Sequence, residues 1–282
     1  MTDMETQRGD DQERRLAALR QASPDFAGAA GIYEVILPLL GEADVRPSPA
    51  VITGEEARQR LERGVPLLRG SSPAFDIPAA RDLAIGLARR LAERGVAHAT
   101  GVREALESGR VHLPALFNMI LRGDHAALAS IASDLGADSF LLLTVARNAL
   151  KPALGAWRRQ LTPLVGNGIR WDKGACFVCG APAALGELQG NDQSKHLRCG
   201  LCGADWRYSR IRCARCGNED HATLGILYQD PGLVKARVEV CERCRGYIKV
   251  IVTFEPTPPD LLPVEDLATL YLDGVAIRNG YG

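Results

Sequence analysis

The stretch Leu197-Arg-Cys-Gly-Leu-Cys-Gly-Ala-Asp-Trp-Arg-Tyr-Ser-Arg-Ile-Arg-Cys-Ala-Arg-Cys216 carries two Cys-x-x-Cys pairs, Cys199/Cys202 and Cys213/Cys216. A third pair, Cys176/Cys179, lies upstream, and a fourth, Cys241/Cys244, lies downstream. All eight cysteines of the 282-residue chain fall between 176 and 244, and the first 175 residues have none. A Cys-x-x-Cys turn lets two thiolates point at one metal, and two such turns supply a tetrahedral S₄ shell. Every cysteine has a partner three residues away and the N-terminus shows no export signal, which favours metal over disulfide.

Glycines support this reading. Gly180, Gly203 and Gly217 follow the second cysteine of their pairs directly, and Gly246 comes one place later, after Arg245. Glycine adopts the positive φ that turns backbone N–H groups toward the sulfurs, as rubredoxin-type and zinc-ribbon knuckles need. Sequential pairing is the economical choice. It gives a site one of Cys176, Cys179, Cys199 and Cys202 and a site two of Cys213, Cys216, Cys241 and Cys244. An interleaved pairing gives the same shell and stays open. With 10 residues between the sequential sites, the two ribbons are expected to pack side by side. Closed S₄ zinc sites commonly serve only to fold a small domain, whereas S₄ iron can be redox-active, and spacing does not separate the two.

Upstream of the cysteines the chain reads as helical. Asp11–Gln21 is a charged helix or a tail, and Ile32–Leu40 is an apolar helix ended by Gly41. Thr53 and Glu56 fit a capping box that starts a short helix running to Gly64. Pro78 begins a longer helix with Leu83, Leu87 and Leu91 on one face and Gly95 as its stop. Helices are expected at 113–121 and 124–135. Another starts at Asp138, is kinked or restarted by Pro152, and ends near Val165. Gly166-Asn-Gly168 marks the expected boundary. Beyond it, Leu224–Tyr228 and Tyr247–Phe254 read as strands. Pro256, Pro258 and Pro259 form a stiff linker, and Glu265–Arg278 a final helix with Leu267, Leu270 and Val275 for docking. The expected fold class is α+β: a helical domain at 1–166, tandem rubredoxin-like or zinc-ribbon modules at 167–255, and a linker with a C-terminal helix at 256–282.

Bulk properties narrow the function classes. The net charge is zero and 24% of residues are charged, so there is no basic excess of the kind a nucleic-acid binder shows. The charged N-terminus lacks the apolar core of a secretory signal, and the longest apolar run is far short of the ~20 residues a bilayer needs. The expectation is a cytoplasmic protein without membrane insertion. Walker, dinucleotide-binding, His-Glu-x-x-His and Gly-x-Ser-x-Gly motifs are absent from the sequence. Filled S₄ sites leave no open position for a catalytic metal, and the five histidines are scattered. His196 lies near Cys199, as a second-layer donor or as a packed side chain. The chain therefore reads as a non-enzyme.

The residues admit two other readings. Arg198, Arg207, Arg210, Arg212, Arg215, Arg237, Arg243 and Arg245 crowd the ribbon, which is the case for a nucleic-acid-binding zinc ribbon. However, residues 176–250 hold eleven Lys and Arg against eight Asp and Glu. Two S₄ sites with dications would bring that segment to about −1, so the arginines offset thiolate charge. A thiol–disulfide catalyst at Cys213-Ala-Arg-Cys216 would need one pair in a βαβ context rather than four pairs.

Cys199, Cys202, Trp206, Arg210, Cys213 and Cys216 fall at spacings that resemble those of the formate dehydrogenase accessory protein family. The fourth knuckle, Val240-Cys-Glu-Arg-Cys-Arg-Gly-Tyr-Ile-Lys249, and the tail Glu265–Asp273 ending near Gly280-Tyr281 are similar too. The likeness covers roughly 170–282. Phe177 stands where the family usually has proline, and Lys195-His196 where it commonly has Arg-Tyr. The resemblance implies a cytoplasmic helper that binds the catalytic subunit of a molybdenum- or tungsten-dependent formate dehydrogenase and supports its maturation or activation. It also implies rubredoxin-like iron in the two tetracysteinyl sites, with zinc as the alternative.

Overall fold

The computed structural model describes residues 2–22, 24–43, 52–69, 77–122, 130–131, 138–166, 171–229 and 235–282. The chain divides into two units, one of residues 1–50 and 72–157, the other of 51–71 and 158–282.

The first unit is helical. Its elements are α1 (Thr2–Ala22), α2 (Pro24–Glu42), α4 (Ile77–Glu93), α5 (Ala99–Glu107), α6 (Leu113–Arg122) and the part of α7 (Ser139–Val165) up to Trp157. Helices α4 and α6 bury residues three or four apart, the spacing that puts side chains on one face. On α4 these are Ala80, Ala84, Leu87 and Leu91, and on α6 Leu113, Leu116, Phe117 and Ile120. Gly95, at φ +71°, stands just past α4 as expected. The helix expected at 124–135 lies largely outside the described residues. Pro152 neither breaks nor restarts α7, which runs continuously through it. The packing on either side explains this: Ala149, Leu150, Ala153 and Leu154 are fully buried and hold the helix across the lost backbone hydrogen bond.

The second unit contains α3 (Gly54–Glu62), the end of α7, all the strands, and two closing helices, α8 (Leu262–Ala268) and α9 (Leu270–Arg278). Thr53 caps α3 by accepting from the Glu56 amide at 3.1 Å. Glu56 pairs forward with Arg60 at 2.7 Å. The final helical segment, expected as one helix, is divided at Thr269, whose hydroxyl donates back to the Glu265 and Asp266 carbonyls.

The strands are β1 (Leu185–Gln189), β2 (Ser194–Arg198), β3 (Asp205–Arg207), β4 (Leu224–Leu227), β5 (Ala236–Cys241) and β6 (Tyr247–Thr253). They form one six-stranded sheet in the order β3-β2-β1-β6-β5-β4. Every neighbouring pair is antiparallel except β1 with β6, which run parallel with Gly186 opposite Val250. The sheet is therefore two three-stranded ribbons with the same plan, knuckle, hairpin, knuckle, strand, fused along β1 and β6. The expected side-by-side packing takes the form of one continuous sheet.

Helix α9 covers β5. Val238 and Val240 of the strand pack with Leu272, Ala276 and Tyr281. Buried Lys249 of β6 pins both closing helices. Its ammonium lies 2.6 Å from an Asp266 carboxylate oxygen and 2.8 Å from Asp273, and it donates to the Asp266 carbonyl at 2.9 Å. The Tyr247 hydroxyl donates to the other Asp273 oxygen at 2.8 Å.

Candidate metal centres

The eight sulfurs gather as two sets, Cys176, Cys179, Cys199 and Cys202 in the first and Cys213, Cys216, Cys241 and Cys244 in the second. Within each set every sulfur lies within 4.8 Å of the others. The grouping is the sequential one. Each knuckle leads into or out of a strand. Cys199 follows β2 directly, Cys241 ends β5, and the first pair of each set precedes the opening strand of its ribbon.

Sulfur separations test whether a metal fits. A tetrahedral S₄ shell with bonds of about 2.3 Å has edges of about 3.8 Å. In site two the Cys213–Cys244 and Cys216–Cys241 distances are both 3.8 Å. In site one the Cys176–Cys202 and Cys179–Cys199 distances are 3.5 Å. These four separations match the edges of such a shell to within a few tenths of an ångström.

Backbone amides surround the sulfurs, as metal-bound thiolates require. Val178 N–H donates to Cys176 Sγ at 3.4 Å and Cys202 N–H to Cys199 Sγ at 3.5 Å. In site two Arg215 and Cys216 donate to Cys213 Sγ at 3.3 and 3.5 Å, and Gly246 to Cys244 Sγ at 3.4 Å. The Asn218 side-chain amide adds a contact to Cys241 Sγ at 3.6 Å. Gly180, Gly203 and Gly217 take φ of +80°, +73° and +74°. The fourth knuckle differs from the expectation. Arg245, at φ +55°, occupies the left-handed position, not Gly246. Gly246 is needed for space instead, since a Cβ there would come within 2.8 Å of the Arg215 side chain.

Cys199 is held well below the ordinary thiol range by hydrogen bonds from Cys176, Cys179 and Cys202. Cys179 is raised well above it, chiefly by the neighbouring Cys176, and Cys202 by burial. One thiolate is thus stabilised at its neighbours' expense, because four negative sulfurs this close repel strongly. In site two Cys241 sits at about 7, where amide hydrogen bonds from Cys244, Arg243 and Asn218 outweigh burial. Cys244 is pushed up to about 12, first by burial and then by Cys216 and Cys213.

The residues around site one form a charged layer that sequence reasoning passed over. Arg198 is buried and donates to Glu187 at 2.5 Å and to the Thr257 carbonyl at 2.6 Å. His196, singled out as a possible sulfur-side donor, pairs with Asp205 at 2.5 Å. Buried Lys195 pairs with Glu239 of β5 and so joins the two ribbons. Phe177, in the place of the family's proline, meets the Trp206 ring edge-on at a centroid distance of 6.4 Å.

The arginine side chains are engaged mostly with carboxylates and carbonyls. Arg212 bridges Asp172 at 2.9 Å and Glu219 at 2.6 Å, Arg237 pairs with Glu239 at 2.6 Å, and Arg215 donates to the Tyr247 carbonyl at 3.0 Å. Arg245 pairs with Glu242, lies 4.1 Å over the Tyr281 ring, and donates to the Gly280 carbonyl at 3.0 Å. That hooks the C-terminal segment onto the fourth knuckle and gives the Gly280-Tyr281 tail a role.

Gly174 locks the entrance of site one to the third knuckle. A Cβ at Gly174 would lie 1.6 Å from the Ala214 carbonyl oxygen. Gly174→Ala is expected to lower stability by about 1–3 kcal/mol or more, because a rigid backbone atom has to move. A thermal melt checks this; an unchanged midpoint would show that the approach is looser than the geometry says.

No protein-family model matches. A "Protein FdhE homolog" of Shewanella baltica is 32% identical over 109 residues, 38% of this chain and 35% of that protein. A homologue of the same name from Aquifex aeolicus is 32% identical over 117 residues, 40% of each chain. The one from Pseudomonas aeruginosa is 33% identical over 146 residues, 47% of each. The chain thus spans less than half the length of the curated relatives it matches. The fold comparison reaches much further. The crystal structure of the FdhE protein from Pseudomonas aeruginosa matches with a TM-score of 0.61 and 26% identity, over 96% of this chain and 91% of that one. The chain is similar to FdhE proteins, in sequence over part of its length and in fold along nearly all of it. The fold likeness extends through the helical first half, beyond the 170–282 stretch that carries the motifs. Among the described residues, no helix is long and apolar enough to cross a membrane.

Proposed function

We propose that this chain is an accessory factor that supports maturation or activation of a molybdenum- or tungsten-dependent formate dehydrogenase by binding its catalytic subunit in the cytoplasm. The observation that carries the reading is the likeness to an FdhE structure along nearly the whole chain, at 26% identity. The helices up to residue 166 act as the docking region and the ribbon segment at 167–255 as a metal-clamped body, closed by residues 256–282. The chain is not itself a formate oxidiser.

Each set of cysteines holds one metal ion, iron with zinc as the alternative: Cys176, Cys179, Cys199 and Cys202 in site one, and Cys213, Cys216, Cys241 and Cys244 in site two. The sulfur separations and the amides aimed at them support this. When bound, the ion supplies charge compensation and cross-linking, and iron would add one-electron chemistry. The protein's part is to hold thiolates under N–H groups and to exclude water from site one. Iron in a ferric S₄ site colours the protein red; protein from iron-replete, anaerobic growth that stays colourless after oxidation with ferricyanide would sink the iron version and leave zinc.

The functional test is formate-dependent dye reduction in cells lacking this chain, with the catalytic subunit quantified alongside. Lost activity at normal subunit levels is the expected result. Normal activity would overturn the accessory role.

A further inference from the structure

The two tetracysteine sites differ in how they are covered. All four site-one cysteines are buried, with exposures of 0, 6, 0 and 2% for Cys176, Cys179, Cys199 and Cys202. In site two Cys213 and Cys241 are buried, but Cys216 and Cys244 are exposed.

The difference has a structural source. Site one is clasped by a segment more than a hundred residues upstream in sequence. Leu67 and Leu68 donate backbone hydrogen bonds to the Phe177 and Val178 carbonyls, at 2.8 and 2.9 Å, inside the first knuckle. Pro66 lies against Gly180 and Pro259 against Gly203, so a cover sits over each knuckle. Arg60 stiffens the clasp by donating to the Leu67 carbonyl at 2.9 Å and the Arg69 carbonyl at 3.3 Å. Site two is held at its fourth knuckle, where Arg245 hooks the C-terminal segment, and at Ala214 of its third, which packs against Gly174. Neither contact covers Cys216 or Cys244, and Gly217, just past Cys216, faces open space.

We infer that site two is the exchange site, where a thiophilic metal ion enters and leaves and where thiol-directed electrophiles react, whereas site one is kinetically locked. The inference rests on the reading that both sets hold metal. Release from an S₄ site proceeds by replacing one thiolate at a time with a competing ligand. Cys216 and Cys244 present sulfurs to such a ligand without any opening of the fold. Site one requires local opening of the 66–68 clasp or of the Pro259 segment first, and local opening slows exchange.

The test uses the full chain loaded with two zinc ions. Zinc loss to excess EDTA is followed against time, and samples are pulsed with iodoacetamide and mapped by peptide mass spectrometry. In the pulse a cysteine sulfur displaces iodide, a C–S bond replacing the C–I bond, and the thiol proton passes to water. One zinc ion is expected to leave at least ~10-fold faster than the other, with Cys216 and Cys244 labelled before any site-one cysteine. Arg60→Ala, which loosens the clasp without touching a sulfur, is expected to speed loss of the slow ion and leave the fast one unchanged. Two ions leaving at one rate, early labelling of Cys176 or Cys199, or an Arg60→Ala protein with an unchanged slow phase would each overturn the inference. A chain that loads fewer than two ions would overturn the metal reading beneath it as well.

Discussion

Cys199→Ser is expected to lose the site-one ion and to unfold the cysteine-bearing unit. Cys199 is fully buried at the end of β2, so its sulfur both completes a shell and anchors the β2–β3 hairpin. A structural zinc site contributes on the order of 10–16 kcal/mol to folding, whereas a whole domain is stable by about 5–15 kcal/mol. Losing one of four thiolates forfeits much of that contribution and strands three buried sulfurs that repel one another. Metal content should fall from two ions to one or none, with strand signal lost from the circular dichroism. Cys244→Ser, at the exposed edge of site two, should cost less, because β5 is also held by α9 through Val238, Leu272 and Ala276. A Cys199→Ser protein that keeps both ions and its fold would contradict the assignment of site one.

The second large effect belongs to Arg198. Its side chain is 3% exposed and its partner Glu187 is fully buried. Arg198→Met leaves the Glu187 carboxylate, among the described residues, with the Gln189 amide at 2.7 Å as its remaining side-chain donor and removes the tie to the Thr257 carbonyl. Breaking one side of a buried pair costs about 3–5 kcal/mol, since an uncompensated charge stays in a dry interior. The urea midpoint should fall accordingly. The double replacement Glu187→Leu with Arg198→Met should recover most of the loss, because it removes both charges and keeps apolar volume. If the double variant is no more stable than Arg198→Met, then Arg198 acts through the linker and not through Glu187.

These two residues mark the limit of what the sequence shows. Cys199 is legible because its chemistry is local: a partner three residues away and a glycine beyond it define a knuckle in any context. Arg198 is not. It sits one position before Cys199 in a strand, Ser194–Arg198, that has no apolar alternation to announce it. The same holds for Leu185–Gln189, where the completely buried Glu187 reads as a solvent residue. The strands that were recognised, Leu224–Leu227 and Tyr247–Thr253, carry aliphatic runs. Arg245 defeated the glycine rule in the fourth knuckle because its left-handed backbone is held by the C-terminal segment, 35 residues further on.

The sequence by itself determined the eight candidate ligands, the helical first half and the likeness to the accessory family, since each rests on short-range spacing or composition, while it left the pairing of the ligands into sets open. Only the tertiary structure decided that the two ribbons fuse through a parallel β1–β6 pairing, that residues 51–71 belong with the cysteine-bearing unit, and that site one is covered while site two faces solvent. The reason is physical. A knuckle is fixed by the steric and bonding demands of a few consecutive residues. Strand pairing and burial are fixed by which distant surfaces meet, and in this chain those surfaces, from Leu67 to Phe177 and from Gly186 to Val250, lie 60 to more than 100 residues apart.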